Sequence, residues 1–434
     1  MKTKRILVIL VLVSICMSMI FAQAQAENKQ PEKNPELTIM MHPVLYAATG
    51  GAEGQITKFS QETGIKVEVL TGPLDQILEK TLLDFVSDSS TIDIFSYTDT
   101  AMHSGLADYL LPLDSYISSA KSSYDFKDIL KSTIDLGTFN GKVYGVPFRY
   151  GVYMLYYRID LFEKYGVQVP ETWDEFLDAA KRITEGLRAD GISDVYGLAY
   201  TAQAGQYVFE NYKTWLAGFG GFIADKDRKV RLDDPQAIAA LKAYMAPYKN
   251  GWASPNTPAQ PIDEVIAAFQ KGKAAMALVY SPYWGLFTNP ATSTVYDKVG
   301  WALTPHAEGV TPGRSSFSGW NLLVNNKTEY PDAAWQLIEY LTSKENMLEQ
   351  ASKYSNGPVR TSVLMDAEYL AKFPVARGWA EGLQASEPIL PGGHAQISEI
   401  MDIIGREVSN AFIGKKTPEK ALADAQAQVE AFFK

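Results

Sequence analysis

Residues 140–184 read NGKVYGVPFRYGVYMLYYRIDLFEKYGVQVPETWDEFLDAAKRIT, and their succession of turns, strands and helices decides the fold. Asn140-Gly141 is a two-residue turn signal, and Lys142 to Val146 alternates like a strand after it. Pro147 is expected to end that strand. An aromatic-rich strand, Val152 to Tyr157, comes next and leads into a short helix around Asp160 to Tyr165, which Gly166 stops. Beyond Pro170, Thr172 and Glu175 have the spacing of a capping box that opens a helix from Trp173 to Ile183. Between the two strands, Pro147-Phe148-Arg149-Tyr150-Gly151 is a place where the chain could pass from one domain to another.

Outward from this stretch, strand and helix signals alternate. Residues Asn28 to Glu36 are a polar lead-in with two prolines. Leu37–Met41, Ile65–Leu70 and Ile92–Tyr97 read as strands, Thr49–Thr63 and Leu74–Val86 as helices. That alternation predicts a mostly parallel sheet with helices on both faces. In such sheets ligands bind outside the carboxyl ends of the strands, here His42–Tyr46 and Tyr97–Asp99. The second half continues in the same style. A helix ends at a glycine turn in Trp215–Gly221, and Asp233-Asp234-Pro235 caps another helix. Strands end at Tyr280 and Pro305, Ser318–Asn325 is a further strand, and the tail from Ile397 is helical. There is no internal repeat and no low-complexity tract.

The amino terminus carries Lys2, Lys4 and Arg5, then an apolar run from Ile6 to Phe21, then Ala24-Gln25-Ala26. This is the pattern of a cleaved secretory signal peptide, with the mature chain expected to begin near Glu27. Cys16 is the only cysteine and lacks the small residues a lipobox needs, so the exported protein is expected not to be a lipoprotein. The mature chain then has no disulfide and no thiol catalysis. About 400 residues exceed the size at which single cores stop growing, so two domains are expected. The formal charge of −10 argues against nucleic acid and anionic membranes as partners. Four scattered histidines have no metal spacing, and no nucleophile elbow, phosphate loop or dinucleotide fingerprint occurs. No metal or cofactor is expected, and no pair of carboxylates stands out for glycoside hydrolysis.

The central stretch resembles the extracellular solute-binding proteins of carbohydrate ABC importers, the maltose-binding-protein-like family. The matching strings are Gly141-Lys142, Tyr144-Gly145-Val146-Pro147, Tyr156-Tyr157-Arg158-Ile159-Asp160-Leu161-Phe162 and Pro170-Glu171-Thr172-Trp173-Asp174-Glu175. Further matches run from Phe269 to Arg360. The resemblance implies a two-domain α/β periplasmic-binding-protein fold (type II, venus-flytrap) with several hinge crossings, near Phe148–Gly151, Ala302–Pro305 and Leu341–Leu348. Expected boundaries are 1–26 for the signal peptide, 27–149 with 303–345 for one lobe, and 150–302 with 346–434 for the other. It implies a monomer in the periplasm that binds a carbohydrate between its lobes and delivers it to an ABC permease driven by an ATPase. Two alternatives remain open: a secreted polysaccharide-active enzyme, and a solute-binding protein for a non-sugar ligand.

A sugar site needs aromatic faces for C–H surfaces and fork-shaped polar groups for vicinal hydroxyls. The candidates at strand ends and turns facing the expected cleft are Tyr46, Tyr97, Asp99, Arg149, Tyr150, Trp215, Tyr280, Trp284, Trp320, Asn321 and Arg360. Trp284 and Trp320 match positions where family members stack a sugar, whereas Trp173 and Trp335 read as core. Maltodextrin binders carry an acidic residue at the crossing, and this chain has Arg149-Tyr150-Gly151 instead. A different saccharide, or one with an acidic group for an arginine to pair with, is therefore expected.

Overall fold

The computed structural model describes residues 35–390 and 393–433, so the expected signal peptide lies outside the described residues. Strands β1 (Glu36–Met41), β2 (Lys66–Thr71) and β3 (Ile94–Thr98) alternate with helices Gln55–Thr63 and Leu74–Ser87. β1 pairs in parallel with both β2 and β3. β4 (Thr138–Phe139) and β5 (Lys142–Val143) form a hairpin around Asn140-Gly141. Both turn residues have positive φ, 53° and 73°, the conformation that makes Asn-Gly the favoured pair there. The long β6 (Gly145–Arg158), β7 (Tyr196–Ala199), β8 (Ala274–Tyr280), β9 (Val299–Leu303) and β10 (Phe317–Val324) complete the sheet. Its order is β2-β1-β3-β10-β6-β8-β7, with β9 also on β6.

The sheet is more mixed than expected. β10 runs antiparallel to both β3 and β6, and β8 and β9 run antiparallel to β6. β6 changes partner along its length. Gly145 to Val152 pair with β10, and from Tyr153 onward the strand pairs with β8 and β9. One strand therefore belongs to two sheet halves, and the chain crosses between them near Val152–Tyr153. A second crossing is tied to it there, because Thr304 Oγ1 donates to Tyr153 O at 2.7 Å and Tyr153 N donates to Ser316 O at 3.0 Å.

Pro147 does not end its strand. Its pairing with Asn321 and that of Arg149 with Trp320 enclose a register shift, leaving Phe148 as the extra residue of a bulge. Opposite β10, the edge of β6 is covered by a turn, with Tyr150 N donating to Gly357 O at 3.2 Å. A proline in a strand is tolerated at such a bulge. The helix expected over 49–63 begins only at Gln55, after a single 3-10 turn at Gly51–Glu53, and a separate short helix, Pro43–Ala48, is capped by His42.

Alternation along β6 separates two apolar clusters. Val146, Phe148, Tyr150, Val152, Met154 and Tyr156 pack into one, and Tyr153 and Leu155 into the other. The first holds β1, β10 and the even-numbered β6 residues from Val146 to Tyr156, and it also takes in Val265, Phe269, Ala277, Val279 and Phe287 around β8. The second holds helix Trp173–Ala189, with the expected Thr172–Glu175 capping box, and the carboxy-terminal helices Ile397–Phe412 and Pro418–Val429. Apolar packing is continuous across 345/346. Met347, Val359, Val363 and Leu383 pack in the first cluster, and the second resumes only at Ile389. Arg360, held to Asp128, is one of the anchors that keeps this segment on the first side. Among the described residues no helix is long and apolar enough to cross a membrane.

Candidate functional site

Arg149 and Gly151 stand on the face of β6 that carries Tyr153 and Leu155, but at a level where the second core has not yet begun. The space left there is a cavity of about 280 Å³. One wall comes from the β3 carboxyl end and the start of β10, through Thr98, Thr100, Ser318, Gly319 and Trp320. The other comes from Gln206, Tyr207 and Glu210 on helix Gln206–Gly218, with Tyr280 and Tyr283 at the end of β8. Beyond Thr100 and Gln206 the cleft continues into a space of about 320 Å³ bordered by His103, Ser398 and Asp402. Gly319 lets the two central strands close up at the cavity, because a Cβ there would lie 2.1 Å from Arg149 O.

Glu210 and Arg149 are the charged residues that line the cavity itself. Glu210 Oε2 accepts from Lys213 Nζ at 2.8 Å and from Tyr280 Oη at 3.0 Å. Burial and the Glu210 charge push the Tyr280 hydroxyl well above its ordinary range, so it stays protonated and donates. The Tyr153 ring lies 4.1 Å from that of Tyr280, tilted by 54°, and its hydroxyl is raised for the same two reasons. Lys213 itself faces an adjoining cavity of about 60 Å³, together with Asp99. Asp99 Oδ1 accepts from Ser318 Oγ at 2.5 Å and Gly319 N at 2.9 Å. Burial nonetheless raises its carboxyl, against the pull of Lys213 and those two bonds.

Arg149 faces Trp320 across the β6–β10 ladder. The Trp320 ring lies 5.0 Å from that of His42, whose basicity is lowered by burial and by the Arg149 charge. Burial also disfavours the Arg149 charge itself, and Tyr283 is the neighbour that opposes this. Among the described residues, no acceptor lies within bonding distance of the guanidinium.

The structure brings Arg149, Tyr150, Tyr280 and Trp320 to one cavity and sets Asp99 immediately behind its wall. The Tyr150 hydroxyl is turned inward, where Asn321 Nδ2 donates to it at 2.9 Å, and both side chains are fully buried. Asn321 is thus a support for the wall. The remaining candidates sit elsewhere. Trp215 is core, stacked at 4.1 Å on Trp173. Tyr97 is buried and bonded to Thr81. Arg360 is buried, donating to Thr342 O at 2.7 Å and Asp125 O at 2.8 Å. Trp284 lines a separate cavity of about 20 Å³ with Asn356 and Tyr369. Tyr46 sits on helix Pro43–Ala48, in a surface groove with Lys66 and Glu68.

Sequence reasoning missed Glu210, Lys213, Gln206 and Tyr207. Their signal was an acid–base pair three residues apart within the apolar helix ahead of Trp215, which places both charges on one face. Among the described residues, no cluster of His, Cys, Asp or Glu forms a metal site.

Comparison with known proteins agrees with this architecture. A family model described as bacterial extracellular solute-binding protein matches residues 47–348. A probable amino-acid ABC transporter periplasmic-binding protein of Sinorhizobium fredii is 25% identical over 402 residues, 89% of this chain and 88% of that protein. A mannitol-binding protein of Pseudomonas aeruginosa is 27% identical over 331 residues, 71% and 74% of the two chains. Among solved structures, an ABC transporter solute-binding protein of Agrobacterium radiobacter in complex with ribitol matches with a TM-score of 0.77 at 26% identity. That match covers 93% of this chain and all of the other.

Proposed function

The chain belongs to the bacterial extracellular solute-binding protein family, and from that premise we propose that it is the substrate-binding component of an ABC importer for a sugar or sugar alcohol. One observation carries the ligand class: the Trp320 indole and Arg149 fork share a cavity with the Glu210 carboxylate and the tyrosines 207, 280 and 283. Sugars and polyols present apolar C–H faces beside vicinal hydroxyls, and this wall offers a partner for each. The relatives named for mannitol and ribitol support the same class. The cavity of about 280 Å³ beside Arg149 and Trp320 is just below the usual range of about 300–1,000 Å³ and holds a monosaccharide-scale unit, with the adjoining space of about 320 Å³ left for any larger ligand.

In this reading, residues 35–152 with 317–385 form one lobe and 153–303 with 389–433 the other. A ligand that touches both favours the closed arrangement through its differential affinity, and closure about the β6 crossing buries it. The exported protein works as a monomer in the periplasm and hands its ligand to a permease powered by an ATPase. It carries out no chemistry on the ligand. A second reading, an amino-acid ligand, is favoured by the printed name of the Sinorhizobium relative.

A thermal-shift panel of monosaccharides, sugar alcohols, sugar acids and amino acids tests both. A ligand at a hundredfold excess over Kd stabilises by about 2.7 kcal/mol, which is readily seen. Stabilisation by sugars or polyols without turnover, checked by chromatography after long incubation, supports the proposal. Stabilisation by amino acids alone transfers the assignment to the second reading.

A further inference from the structure

Two charged side chains line the central cavity, and only one is matched from within the protein. Glu210 is held by Lys213 at 2.8 Å and Tyr280 at 3.0 Å. Among the described residues, Arg149 has neither an ion pair nor a hydrogen bond. The groups facing it are the cross-strand Trp320, the phenol of Tyr283, and His42, which Arg149 itself disfavours as a cation. The Arg149 side chain is only part-buried and its charge faces the cavity, so a ligand that fills the cavity and displaces the water there must supply the counter-charge. The pairing partner missing here is an anion in the cavity.

The backbone supports the same conclusion independently. The extra residue of the β6 bulge, Phe148, immediately precedes Arg149 and sits opposite the Trp320–Asn321 step. Bulges re-aim the side chains next to them and are concentrated beside binding sites. This one puts the arginine directly across from Trp320, at the mouth of the hinge strand.

Building on the sugar reading, we infer that Arg149 is an anion subsite and that the ligand unit bound there is a sugar acid. Its carboxylate, of an aldonate or a uronate, pairs with the guanidinium. Its carbon chain lies along Trp320 and its hydroxyls reach Glu210. A planar carboxylate fits the guanidinium fork through two parallel bonds. A phosphate ester fits less well, because its second charge would meet the Glu210 carboxylate with no further free cation on the wall. An α-amino acid fits less well too, because Lys213 already neutralises the Glu210 charge, leaving an acceptor suited to a neutral hydroxyl more than a counter-ion for an ammonium group.

The test is titration calorimetry on the mature chain with D-gluconate, D-glucuronate, their neutral counterparts D-glucitol and D-glucose, D-glucose 6-phosphate and L-alanine. At least one acid is expected to bind about ten- to a hundredfold tighter than its neutral counterpart, as charge-assisted bonds are worth. Arg149→Gln is expected to collapse that ratio to within about threefold, and Arg149→Lys to leave an intermediate one. The ratio is read within each variant, so a general loss of stability does not imitate it. Neutral compounds binding as tightly as the acids overturn the inference and leave the sugar reading standing. Tightest binding by the phosphate ester overturns the carboxylate assignment. Binding of L-alanine alone, or of nothing in the panel, overturns both.

Discussion

Glu210 and Lys213 are joined one helical turn apart, Oε2 to Nζ at 2.8 Å, with both side chains only 9% exposed. Removing one member of such a pair strands the other charge in a poorly solvated place, at a cost of about 3–5 kcal/mol. Glu210→Gln is therefore expected to lower Tm clearly and to weaken ligand binding, because the carboxylate lines the cavity. The double variant Glu210→Gln, Lys213→Met should regain much of the Tm and none of the affinity. Thermal denaturation and calorimetry on the three proteins check this. Equal Tm loss in the single and double variants would show that the pair is not energetically coupled.

Asp99 makes stability depend on pH. Its folded-state carboxyl lies above the ordinary value of 3.8, chiefly through burial. For a raised carboxyl the stability contribution is full below the unfolded value and is lost as pH rises through the folded one. Above the folded value the ionised side chain is therefore a net cost, which a charge near the cleft imposes on the fold. Asp99→Asn keeps an acceptor for Ser318 Oγ and Gly319 N while removing that charge. It should melt higher than wild type at about pH 7, and the two curves should converge as pH falls to about 4. A variant that melts lower at neutral pH would mean that attraction to Lys213 outweighs burial.

What was legible in the sequence follows the range of the physics involved. The Asn140-Gly141 turn, the Gly166 stop and the Thr172–Glu175 cap depend on a few adjacent residues, and all three formed. Asp99, Arg149 and Trp320 reached the neighbourhood of the cleft because strand ends and a domain crossing were visible as patterns. Pro147 was misread because its tolerance depends on a bulge against β10, 170 residues away in the chain. Trp215 and Arg360 were chosen by residue type, and type does not say which side of a wall a side chain occupies. Glu210 was invisible for the converse reason: its helix reads as apolar core, and only packing against helices Pro235–Lys249 and Ile397–Phe412 turns one face to the cavity. The tie between Arg360 and residues 125–128 is likewise a long-range relationship that local patterns do not carry.

Arg360 tests that distinction directly. Its guanidinium is fully buried, bonded to two backbone carbonyls, 3.4 Å from Asp128 and 4.8 Å over the Tyr124 ring. Truncation to alanine removes the donors to Thr342 O and Asp125 O and opens a cavity, while Asp128 keeps its bonds from Ser362, so a loss of about 3 kcal/mol is expected. The folded Arg360→Ala protein should nevertheless bind its ligand within about twofold of wild type, since the cavity lies among other residues. Denaturant unfolding gives the first quantity and calorimetry at low temperature the second. A specific loss of affinity with unchanged stability would return Arg360 to the site.

The same logic separates two tryptophans that the sequence placed on an equal footing. Trp320 lines the central cavity across from Arg149, whereas Trp284 borders a much smaller one on the far side of Pro282, beside Tyr369 and Trp379. An indole face against a sugar contributes both apolar burial and ring-specific attraction. Trp320→Ala should therefore weaken binding by about ten- to a hundredfold, and Trp320→Phe by less. Trp284→Ala removes a packed ring near Tyr156, so it should lower Tm while leaving affinity within about twofold. Intrinsic fluorescence offers a second readout: the ligand-induced change seen in wild type should persist in Trp284→Phe and largely vanish in Trp320→Phe. Equal affinity losses from the two alanine variants would mean that the ligand reaches past Pro282, and the cavity assigned here would have to be redrawn to include that side.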